Sequence, residues 1–547
     1  MKLLKLKLLS SFRGLQEGFN IEFNSSDLNA KSLQPICFVG QNGSGKSNVM
    51  EVLSEIFYEL ELMHLNYASD NEEDDEKETE EKETYGYELE YLLPLGTGNL
   101  KGNITARIDA YQKIRVERKI GDSPVFYRLI KTGEYFRVTD RNERKKLLPT
   151  KIIGYSSGMN ELISSPFIMM RFNYFHEYEM NMEEDIMADI EDSRMFYMDY
   201  ETNSLILISN YLIHDDEKIN IINEILNVNK LHSFRIVIRL TDYLGDEIKK
   251  TATVEKIINN LKKCATCYKD ELQSEKKIIT LDFFASKASH EAFKYYFKTA
   301  SELYRVLYLL NSLNIYSIPN YKREKIMKSK NASTLAGLVP KTTDDNSVFR
   351  IENILLYKNG VAEPIHYKKF SDGEHQLMQT IGALLLIEDP GALFLLDEPE
   401  THFNPQWRSK FVSTLNKITE NEVLGRQQEL ILTTHSPFIL SDCQTHNVYK
   451  FDRNDGNVTT ANPRINTYGA SIDVLYEEVF GQENTISDLA NSEIERLKNV
   501  ELDDIEGIEH IEEIRRLARQ FGESSEKFEL LDHLSRLRRE YEKKQRG

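Results

Sequence analysis

Eight residues near the start of the chain, 40–47, read GQNGSGKS and follow the short apolar run at residues 36–39. Glycines at this spacing let main-chain N–H groups close around phosphates. In such a loop Lys46 reaches the terminal phosphate oxygens, and Ser47 offers a hydroxyl ligand to Mg²⁺. The residues expected to contact the phosphates or the neighbouring metal are Gly40, Asn42, Gly43, Gly45, Lys46, Ser47 and Asn48.

An apolar run at residues 392–396, ALFLL, ends in the acidic sequence DEPE at residues 397–400. A continuously apolar run is typical of a strand that is buried on both faces of a parallel sheet. At the carboxyl end of such a strand Asp397 can hold Mg²⁺, and Glu398 can polarise the water that attacks a γ-phosphate. The alternative, a buried strand with incidental acids, is disfavoured by the phosphate loop upstream.

Two shorter segments could complete a site. Residues 370–376, FSDGEHQ, precede an apolar helical run, so Ser371 can cap a helix and Gly373 can let another main chain approach closely. The free N–H groups and the hydroxyl there suit an anion, although a plain N-cap explains the same residues. After a further apolar strand, residues 433–437 read TTHSP and place His435 just beyond that strand.

In the first part of the chain, the elements that must position these residues are predicted to be mainly strands. Residues 1–9 and 19–23 have strand patterns, and residues 48–63 carry apolar side chains at helical spacing. Residues 70–84 are too acidic and too poor in apolar side chains to pack, which predicts a mobile loop. Further apolar runs predict an antiparallel sheet that extends the nucleotide domain; they lie at residues 87–93, 104–111 and 151–155.

Beyond residue 160 the pattern changes. Residues 160–345 show helix-length apolar patterns without heptads long enough for an extended coiled coil, which predicts a compact, mostly helical insertion. Strand character resumes near residue 348 and alternates with helices to about residue 475. At the end of the chain, residues 505–517 and 528–537 predict two amphipathic helices. Their apolar stripe either packs on the rest of the chain or forms a docking face for a partner.

Together, the phosphate loop, the SDGE segment, the LLDEPE strand and the TTHSP segment resemble the ATP-binding-cassette type of ATPase. The branch is the one with structural-maintenance-of-chromosomes, RecF and OLD-type proteins, and the resemblance covers about residues 1–60 and 348–475. It implies ATP and Mg²⁺ as cofactors, with Ser47 and Asp397 at the metal. It also implies Glu398 as the catalytic base and His435 as the switch histidine.

The resemblance further implies a homodimer or higher homo-oligomer. In that family the signature motif, here Ser371, Gly373 and Glu374, contacts the γ-phosphate of ATP held on a second subunit. Residues 400–405 look like the family's D-loop, which lines the dimer interface.

The implied fold is α/β: an ABC-type P-loop ATPase head with a mixed or antiparallel β lobe, a mostly helical insertion and a helical C-terminal extension. The two parts of the ATPase domain are residues 1–158, with the phosphate loop, and residues 348–480, with the signature, the acidic strand and the histidine. Residues 159–347 are the insertion, and residues 481–547 are the charged extension.

Two features depart from the family pattern. The signature reads SDGE where transporters have SGGQ, and residues 154–158, GYSSG, contain no glutamine for the Q-loop. The short insertion without heptads favours the compact ATPases of bacterial anti-phage defence, and the chain looks most like the ATPase of Septu or retron-associated systems. In those systems the partner is a nuclease of HNH type, and no nuclease site stands out in this chain.

The composition restricts the function further. The formal net charge of −19 argues against a surface that coats nucleic acid everywhere. Basic stretches at residues 113–119, 141–151 and 323–330 could each touch phosphates or be solvated faces. Four cysteines indicate a reducing cytoplasm, and the C-x-x-C of Cys264 and Cys267 lacks the second pair of a zinc site. No apolar run approaches the roughly 20 residues that cross a bilayer, so no membrane association is expected.

Three functions stay open at this point. The leading interpretation is an ATPase that dimerises around ATP, hydrolyses it and regulates an associated nuclease in anti-phage defence. The alternative is a RecF- or SMC-like DNA-repair ATPase that binds DNA directly. In the third interpretation ATP is a structural ligand that is hardly hydrolysed. The presence of Glu398, a potential catalytic base, argues against it.

Overall fold

The computed structural model describes most of the chain as three sheets with helices packed against them. The described residues are 1–24, 33–65, 85–95, 111–130, 132–158, 161–183, 193–242, 244–273, 276–327, 335, 339, 346–420, 427–482 and 486–546. The acidic residues 70–84, the run 104–110 and the end of the basic stretch, 328–330, lie outside these ranges.

Strands and helices follow each other along the described residues. The strands are Lys2–Leu8 (β1), Asn20–Glu22 (β2), Ile36–Gly40 (β3), Tyr87–Pro94 (β4), Tyr111–Arg118 (β5), Val125–Leu129 (β6), Tyr135–Val138 (β7), Ile152–Ser156 (β8), Met195–Tyr197 (β9), Val228–Arg239 (β10), Cys267–Gln273 (β11), Lys276–Phe284 (β12), Phe349–Lys358 (β13), Ile365–His366 (β14), Leu393–Asp397 (β15), Glu429–Thr433 (β16), Val448–Asn454 (β17) and Asn457–Ala461 (β18). The helices are Lys46–Leu62 (α1), Arg141–Lys146 (α2), Glu161–Glu183 (α3), Tyr200–Ile213 (α4), Asp216–Leu226 (α5), Ala252–Cys264 (α6), Lys287–Tyr296 (α7), Ala300–Ser312 (α8), Asn320–Met327 (α9), Asp372–Leu386 (α10), Pro405–Thr419 (α11), Pro437–Ser441 (α12), Ile472–Glu478 (α13), Asp488–Lys498 (α14), Ile508–Ala518 (α15) and Ser525–Arg546 (α16).

The central sheet joins segments that are far apart in the sequence. Its seven strands run in the order β18-β17-β3-β16-β15-β8-β9, and all neighbours are parallel except the β17–β18 hairpin. Every residue of β3, β8, β15 and β16 is buried, as expected for strands that are covered on both faces. The carboxyl ends of these four strands meet at one edge of the sheet, which we call the site edge.

The prediction that residues 151–155 extend an antiparallel sheet is wrong. Strand β8 pairs in parallel with β15, and the register sets Ser156 opposite Asp397. The reason is visible in the composition of β8, which begins with two isoleucines and is buried throughout instead of alternating. Such a run is typical of the interior of a parallel sheet.

The predicted antiparallel lobe is confirmed for the strands that precede β8. Strands β2-β1-β4-β5-β6-β7 form a six-stranded antiparallel sheet, and its buried face shares a core with α1. On β5, Lys113 pairs with Glu90 at 2.6 Å. Arg115 pairs with Glu88 at 3.1 Å. The basic stretch 113–119 is therefore partly neutralised by the neighbouring strand.

A third sheet runs through the region that the sequence predicts to be mostly helical. Strands β11-β12-β10-β13-β14 pair in that order, all antiparallel, and helices α4 to α8 lie in the same stretch of chain. In β10 the buried Phe234, Ile236 and Ile238 alternate along one face, which is a strand pattern. Because β13 belongs to the segment after residue 347, this sheet crosses the predicted boundary between insertion and ATPase domain.

Residues 486–546, which we call the C-terminal unit, form helices α14 to α16 around a core of their own. Ile494, Ile514 and Leu534 belong to this core. Both helices predicted at residues 505–517 and 528–537 are present, as α15 and α16. Most of the predicted apolar stripe packs in the core of the unit together with α14. Its members Ile508, Leu517 and Phe528 are exposed instead. Among the described helices none has the length and apolar character of a membrane span.

Candidate functional site

The predicted phosphate loop lies at the site edge, between β3 and α1. Strand β3 ends at Gly40, and α1 begins at Lys46. A Cβ on Gly40, whose φ is +143°, would lie 2.4 Å from the main-chain oxygen of Phe451. Gly45 has a φ of +106°, a backbone conformation that residues with a side chain rarely adopt. The tight turn therefore depends on glycine at both positions.

Lys46 folds back over this loop. Its Nζ donates to the main-chain oxygens of Gly40 and Gln41, at 2.8 and 3.0 Å. Burial lowers the pKa of Lys46, while the negative charges of Glu398 and Asp397 oppose that effect. The lysine thus faces both the loop and the acidic strand end.

Two further features of the loop fit a phosphate group. The hydroxyl of Ser44 is buried and has no hydrogen-bond partner within the part of the chain that the structure describes. The N-terminus of α1 has no side-chain cap, so its first N–H groups remain for a ligand. An oxyanion would satisfy both sets of donors.

Three hydroxyl groups surround the carboxylate of Asp397. Ser47 Oγ lies 3.2 Å and Thr433 Oγ1 2.7 Å from Asp397 Oδ1. Ser156 Oγ lies 3.4 Å from Asp397 Oδ2. Carboxylate and hydroxyl oxygens are ligands of Mg²⁺, which commonly takes one or two protein ligands together with phosphate and water. The arrangement fits magnesium at the predicted ligands, and it adds two hydroxyls that the sequence analysis does not assign.

Glu398 adopts an uncommon backbone conformation beside His435. Its φ of +48° lies in the left-handed region, which is costly for a glutamate and tends to occur at functional sites. Its N–H donates to Thr433 Oγ1 at 3.0 Å, and its Oε1 lies 3.4 Å from His435 Nε2. The proximity of His435 lowers the pKa of Glu398 although burial opposes this effect, so the carboxylate is ionised at neutral pH. The predicted base and switch histidine are thus adjacent.

Glu400 is an acid to which the sequence analysis gives no separate role. It is buried and accepts hydrogen bonds from Thr434 Oγ1 and from the N–H of His435, the latter at 3.3 Å. Burial raises the pKa of Glu400 to about 7. Glu400 therefore ties the segment after β16 to the segment after β15. The DEPE sequence contains three acids, and their spacing alone does not show which one faces inward.

The predicted signature residues form the N-terminus of α10. Ser371 Oγ accepts from the N–H of Glu374, and Glu374 Oε2 accepts from the N–H of Ser371, so the predicted N-cap is confirmed as a capping box. A Cβ on Gly373 would lie 2.6 Å from the main-chain oxygen of His402, which confirms the predicted close approach. Lys358 pairs with Glu374 at 2.5 Å. Burial would raise the pKa of Glu374, but the bonds to Lys358 and Ser371 lower it. These partners lie outside the phosphate loop, so phosphate binding by this segment stays a prediction.

Gln376 links α10 to the ends of the central strands. Its Oε1 accepts from the N–H of His402 at 3.1 Å, and its side chain hydrogen-bonds to Tyr155 on β8. The sequence analysis looks for a glutamine in residues 154–158, where it finds none. In the structure the glutamine that contacts this region comes from α10, two residues after the SDGE segment.

Comparison with known proteins gives a match to one protein family within part of the chain. A family model described as "AAA domain, putative AbiEii toxin, Type IV TA system" matches residues 284–441. This segment includes the signature residues, the acidic strand end and His435, whereas the phosphate loop lies outside it. The central sheet brings both parts to the site edge. The match and the geometry together support a nucleotide-binding ATPase.

Two other likenesses are limited in extent or in strength. Protein ea59 of Escherichia phage lambda is 30% identical over 119 residues, which make up 22% of this chain and 22% of ea59. The chain therefore matches only about a fifth of the length of that relative. The Smc head domain with a coiled coil and joint derived from Pyrococcus yayanosii is 12% identical, with a TM-score of 0.30 over 84% of this chain and 97% of that chain. Such a TM-score is too low to establish a shared fold.

Proposed function

We propose that the chain binds ATP with Mg²⁺ at the site edge and hydrolyses it as an ABC-type ATPase. The observation that carries this proposal is the 3.2 Å contact between Ser47 Oγ and Asp397 Oδ1, which lie 350 positions apart in the sequence. A phosphate-loop serine and a strand-end acid at this distance form the oxygen pair that a magnesium–nucleotide complex requires. Magnesium would neutralise charge on the phosphates when it is bound.

The protein's own groups have distinct tasks in this proposal. Lys46 holds the β- and γ-phosphate oxygens, which replace its present bonds to the loop carbonyls. Glu398 accepts a proton from the attacking water because its carboxylate is ionised. His435, 3.4 Å from Glu398, keeps that carboxylate ionised and oriented.

Two variants test binding and hydrolysis separately. Lys46→Ala removes a phosphate contact, so its affinity for a fluorescent ATP analogue should fall at least about tenfold. Glu398→Gln keeps the shape of the site, so it should bind ATP normally while phosphate release falls on the order of 100-fold. Lys298→Ala, on an exposed lysine far from the loop in sequence, is the matched control. Equal affinity of the wild type and Lys46→Ala would refute the assignment, and unchanged release by Glu398→Gln would exclude its role as the base.

The ATP sites are proposed to form between two subunits, with Ser371 and Gly373 of one subunit facing ATP on the other. Mixing Lys46→Ala and Ser371→Arg subunits should then restore one intact site in each heterodimer. Random mixing predicts about a quarter of wild-type activity, because half of the dimers carry one site of two. No activity above either parent, with subunit exchange confirmed by a tag pull-down, would contradict this arrangement.

We further propose that this dimerisation switch regulates an associated nuclease in bacterial anti-phage defence. The short insertion without heptads, which favours the compact defence ATPases, supports this, and so does a family description that names a putative toxin. The test is phage plaquing on cells that express the chain together with its genomic neighbour. Plaque numbers should fall with the wild type and recover with Lys46→Ala. Protection that survives the Lys46→Ala substitution would contradict an ATP-dependent switch.

The alternative, a DNA-repair ATPase that binds DNA directly, has less support. In the basic stretch 113–119, Lys113 and Arg115 are paired with carboxylates on the neighbouring strand. Binding of the isolated chain to duplex DNA at increasing salt distinguishes the two functions, since phosphate contacts give a steep salt dependence. Tight, salt-sensitive binding would favour the alternative.

A further inference from the structure

Two hydroxyl groups beside Glu398 have been given no individual role so far. Ser157 Oγ lies 2.8 Å from Thr401 Oγ1. Thr401 Oγ1 in turn lies 3.4 Å from Glu398 Oε2 and 3.0 Å from the main-chain oxygen of Glu398. A chain of three side chains therefore leads from the end of β8 to the carboxylate that we assign as the catalytic base.

The backbone fixes both hydroxyls in this place. The N–H of Ser157 donates to the main-chain oxygen of Asp397 at 3.0 Å, which extends the pairing of β8 with β15 by one residue. The N–H of Thr401 donates to the main-chain oxygen of Glu398 at 3.3 Å and closes the turn that follows β15. The two side chains thus meet because the parallel sheet and the turn bring them together.

The number of available protons decides which group donates and which accepts along the hydrogen bonds of Ser157, Thr401 and Glu398. A threonine hydroxyl has a single proton to donate, and two lone pairs that can accept. If Thr401 donated to Ser157, it could not donate to Glu398. If Ser157 donates to Thr401, the proton of Thr401 is free for Glu398, whose main-chain oxygen lies at 3.0 Å and whose carboxylate, the stronger type of acceptor, lies at 3.4 Å.

We propose that Ser157 and Thr401 are positioning residues for Glu398, with Ser157 donating to Thr401 and Thr401 donating to the Glu398 carboxylate. Glu398 Oε1 is held by His435 and Oε2 by Thr401, so the two oxygens have different partners and the carboxylate keeps one orientation. The inference rests on the proposed function, in which Glu398 orients the attacking water. The inference assigns a role to Ser157, which lies in residues 154–158, where the sequence analysis looks for a glutamine.

The test is a double-mutant cycle on ATP hydrolysis by the full chain. Thr401→Val should lower kcat about tenfold and Ser157→Ala about threefold, as expected for the loss of one hydrogen bond near the reacting atoms. Because Ser157 acts only through Thr401, the double variant should be no slower than Thr401→Val. KM and the affinity for an ATP analogue should stay unchanged in all three variants.

Rescue by a conservative variant and two matched controls separate positioning from a merely structural effect. Thr401→Ser keeps the hydroxyl and should restore most of the kcat that Thr401→Val loses. The matched controls are Thr459→Val and Ser413→Ala, on exposed residues that bond only within their own local segments. Both controls should hydrolyse ATP like the wild type.

The outcomes distinguish this inference from the function on which it rests. Full activity of Thr401→Val, with Glu398→Gln inactive, overturns the positioning chain and leaves the ATPase assignment intact. If the double variant shows the product of the two single reductions in kcat, the two residues act independently. The proposed hydrogen bond from Ser157 through Thr401 to Glu398 would then be wrong. A wild-type chain that binds ATP without any hydrolysis overturns the proposed catalytic function and this inference with it.

Discussion

At the site edge, hydrogen bonds join residues that are far apart in the sequence: Asp397 contacts Ser47 and Ser156 from 350 and 241 positions away. In the C-terminal unit the buried apolar side chains come from one continuous stretch, residues 494–537, and pack on one another. A site-edge residue is therefore placed correctly only when the whole central sheet has formed. The C-terminal unit can form from its own residues, so we expect changes in one region to leave the other unaffected.

The largest effect is expected from Asp397→Asn at the site edge. Asparagine can still accept hydrogen bonds from Ser47 and Thr433, so the fold should survive, but the charge that would hold the proposed metal is lost. Magnesium-dependent hydrolysis should fall on the order of 100-fold, as measured by phosphate release. Asp452→Asn, on an exposed acid of β17, is the control and should behave like the wild type. Equal hydrolysis by both variants would remove Asp397 from the site.

The positions of the loop, the acidic strand end and the helix cap at the site edge could be predicted because their motifs are local. The loop 40–47 and the strand end 397–398 each carry their residue types within a few positions, and each follows an apolar run that predicts a strand. The capping box at Ser371 is also a local signal. The structure agrees with all three at the level of geometry.

The sequence alone could not show which distant segments contact each other. Nothing in the GYSSG sequence shows that Ser156 and Ser157 lie beside the acidic strand, because that depends on β8 pairing with β15. The strand β10 was missed because its alternating apolar residues lie among helix-length patterns. The direction of the C-terminal apolar stripe depends on α14, since a stripe shows that a face is buried but not against which element.

In the C-terminal unit the largest effect is expected from Leu534→Ala. Leu534 is buried in the core of the unit, so truncation should destabilise the unit by about 2–5 kcal/mol. Hydrogen exchange of amides in residues 488–546 should become faster, while phosphate release stays within about twofold of the wild type. The control is Leu489→Ala, whose side chain is 83% exposed in the same unit. Faster exchange at β3 or β15 would show that the two regions are coupled.

Gly154→Ala should affect the central sheet without changing a polar group. A Cβ at this position would lie 2.5 Å from Cε2 of Phe167, so α3 and β8 would have to move apart. Such overpacking typically costs about 1–3 kcal/mol, which should appear as a lower free energy of unfolding of the ATPase region. Gly507→Ala in the C-terminal unit is the control, since a Cβ there meets nothing within 4 Å. Adding Phe167→Leu should recover part of the loss, and failure to do so would contradict the proposed clash.

The smallest effect is expected from Glu400→Gln, which tests whether the site edge carries a buried titrating group. Burial raises the pKa of Glu400 from 4.5 to about 7, so between these values the folded chain holds a proton that the unfolded chain has released. The free energy of unfolding should therefore fall as pH rises through this range, by at most about 1.4 kcal/mol per pH unit for one group. In Glu400→Gln this decrease should be shallower. Part of it should remain, because burial also raises the pKa values of Glu51 and Glu55 to about 7.

The measurement is denaturant unfolding of the wild type and of Glu400→Gln at several pH values from 5 to 7, with Glu477→Gln as the exposed control. The free energy of unfolding of the wild type minus that of Glu400→Gln should increase as pH falls. The reason is that only the wild type gains from protonation of this carboxyl in the folded state. Among the described residues of the C-terminal unit, no aspartate, glutamate or histidine is buried. The local opening of this unit, followed by hydrogen exchange after correction for intrinsic rates, should therefore show no such dependence. If the free energies of unfolding of Glu400→Gln and the wild type depend on pH in the same way, Glu400 is ionised in the folded chain. The site edge would then differ from the C-terminal unit in the sequence separation of its contacts, but not through protonation of the buried Glu400.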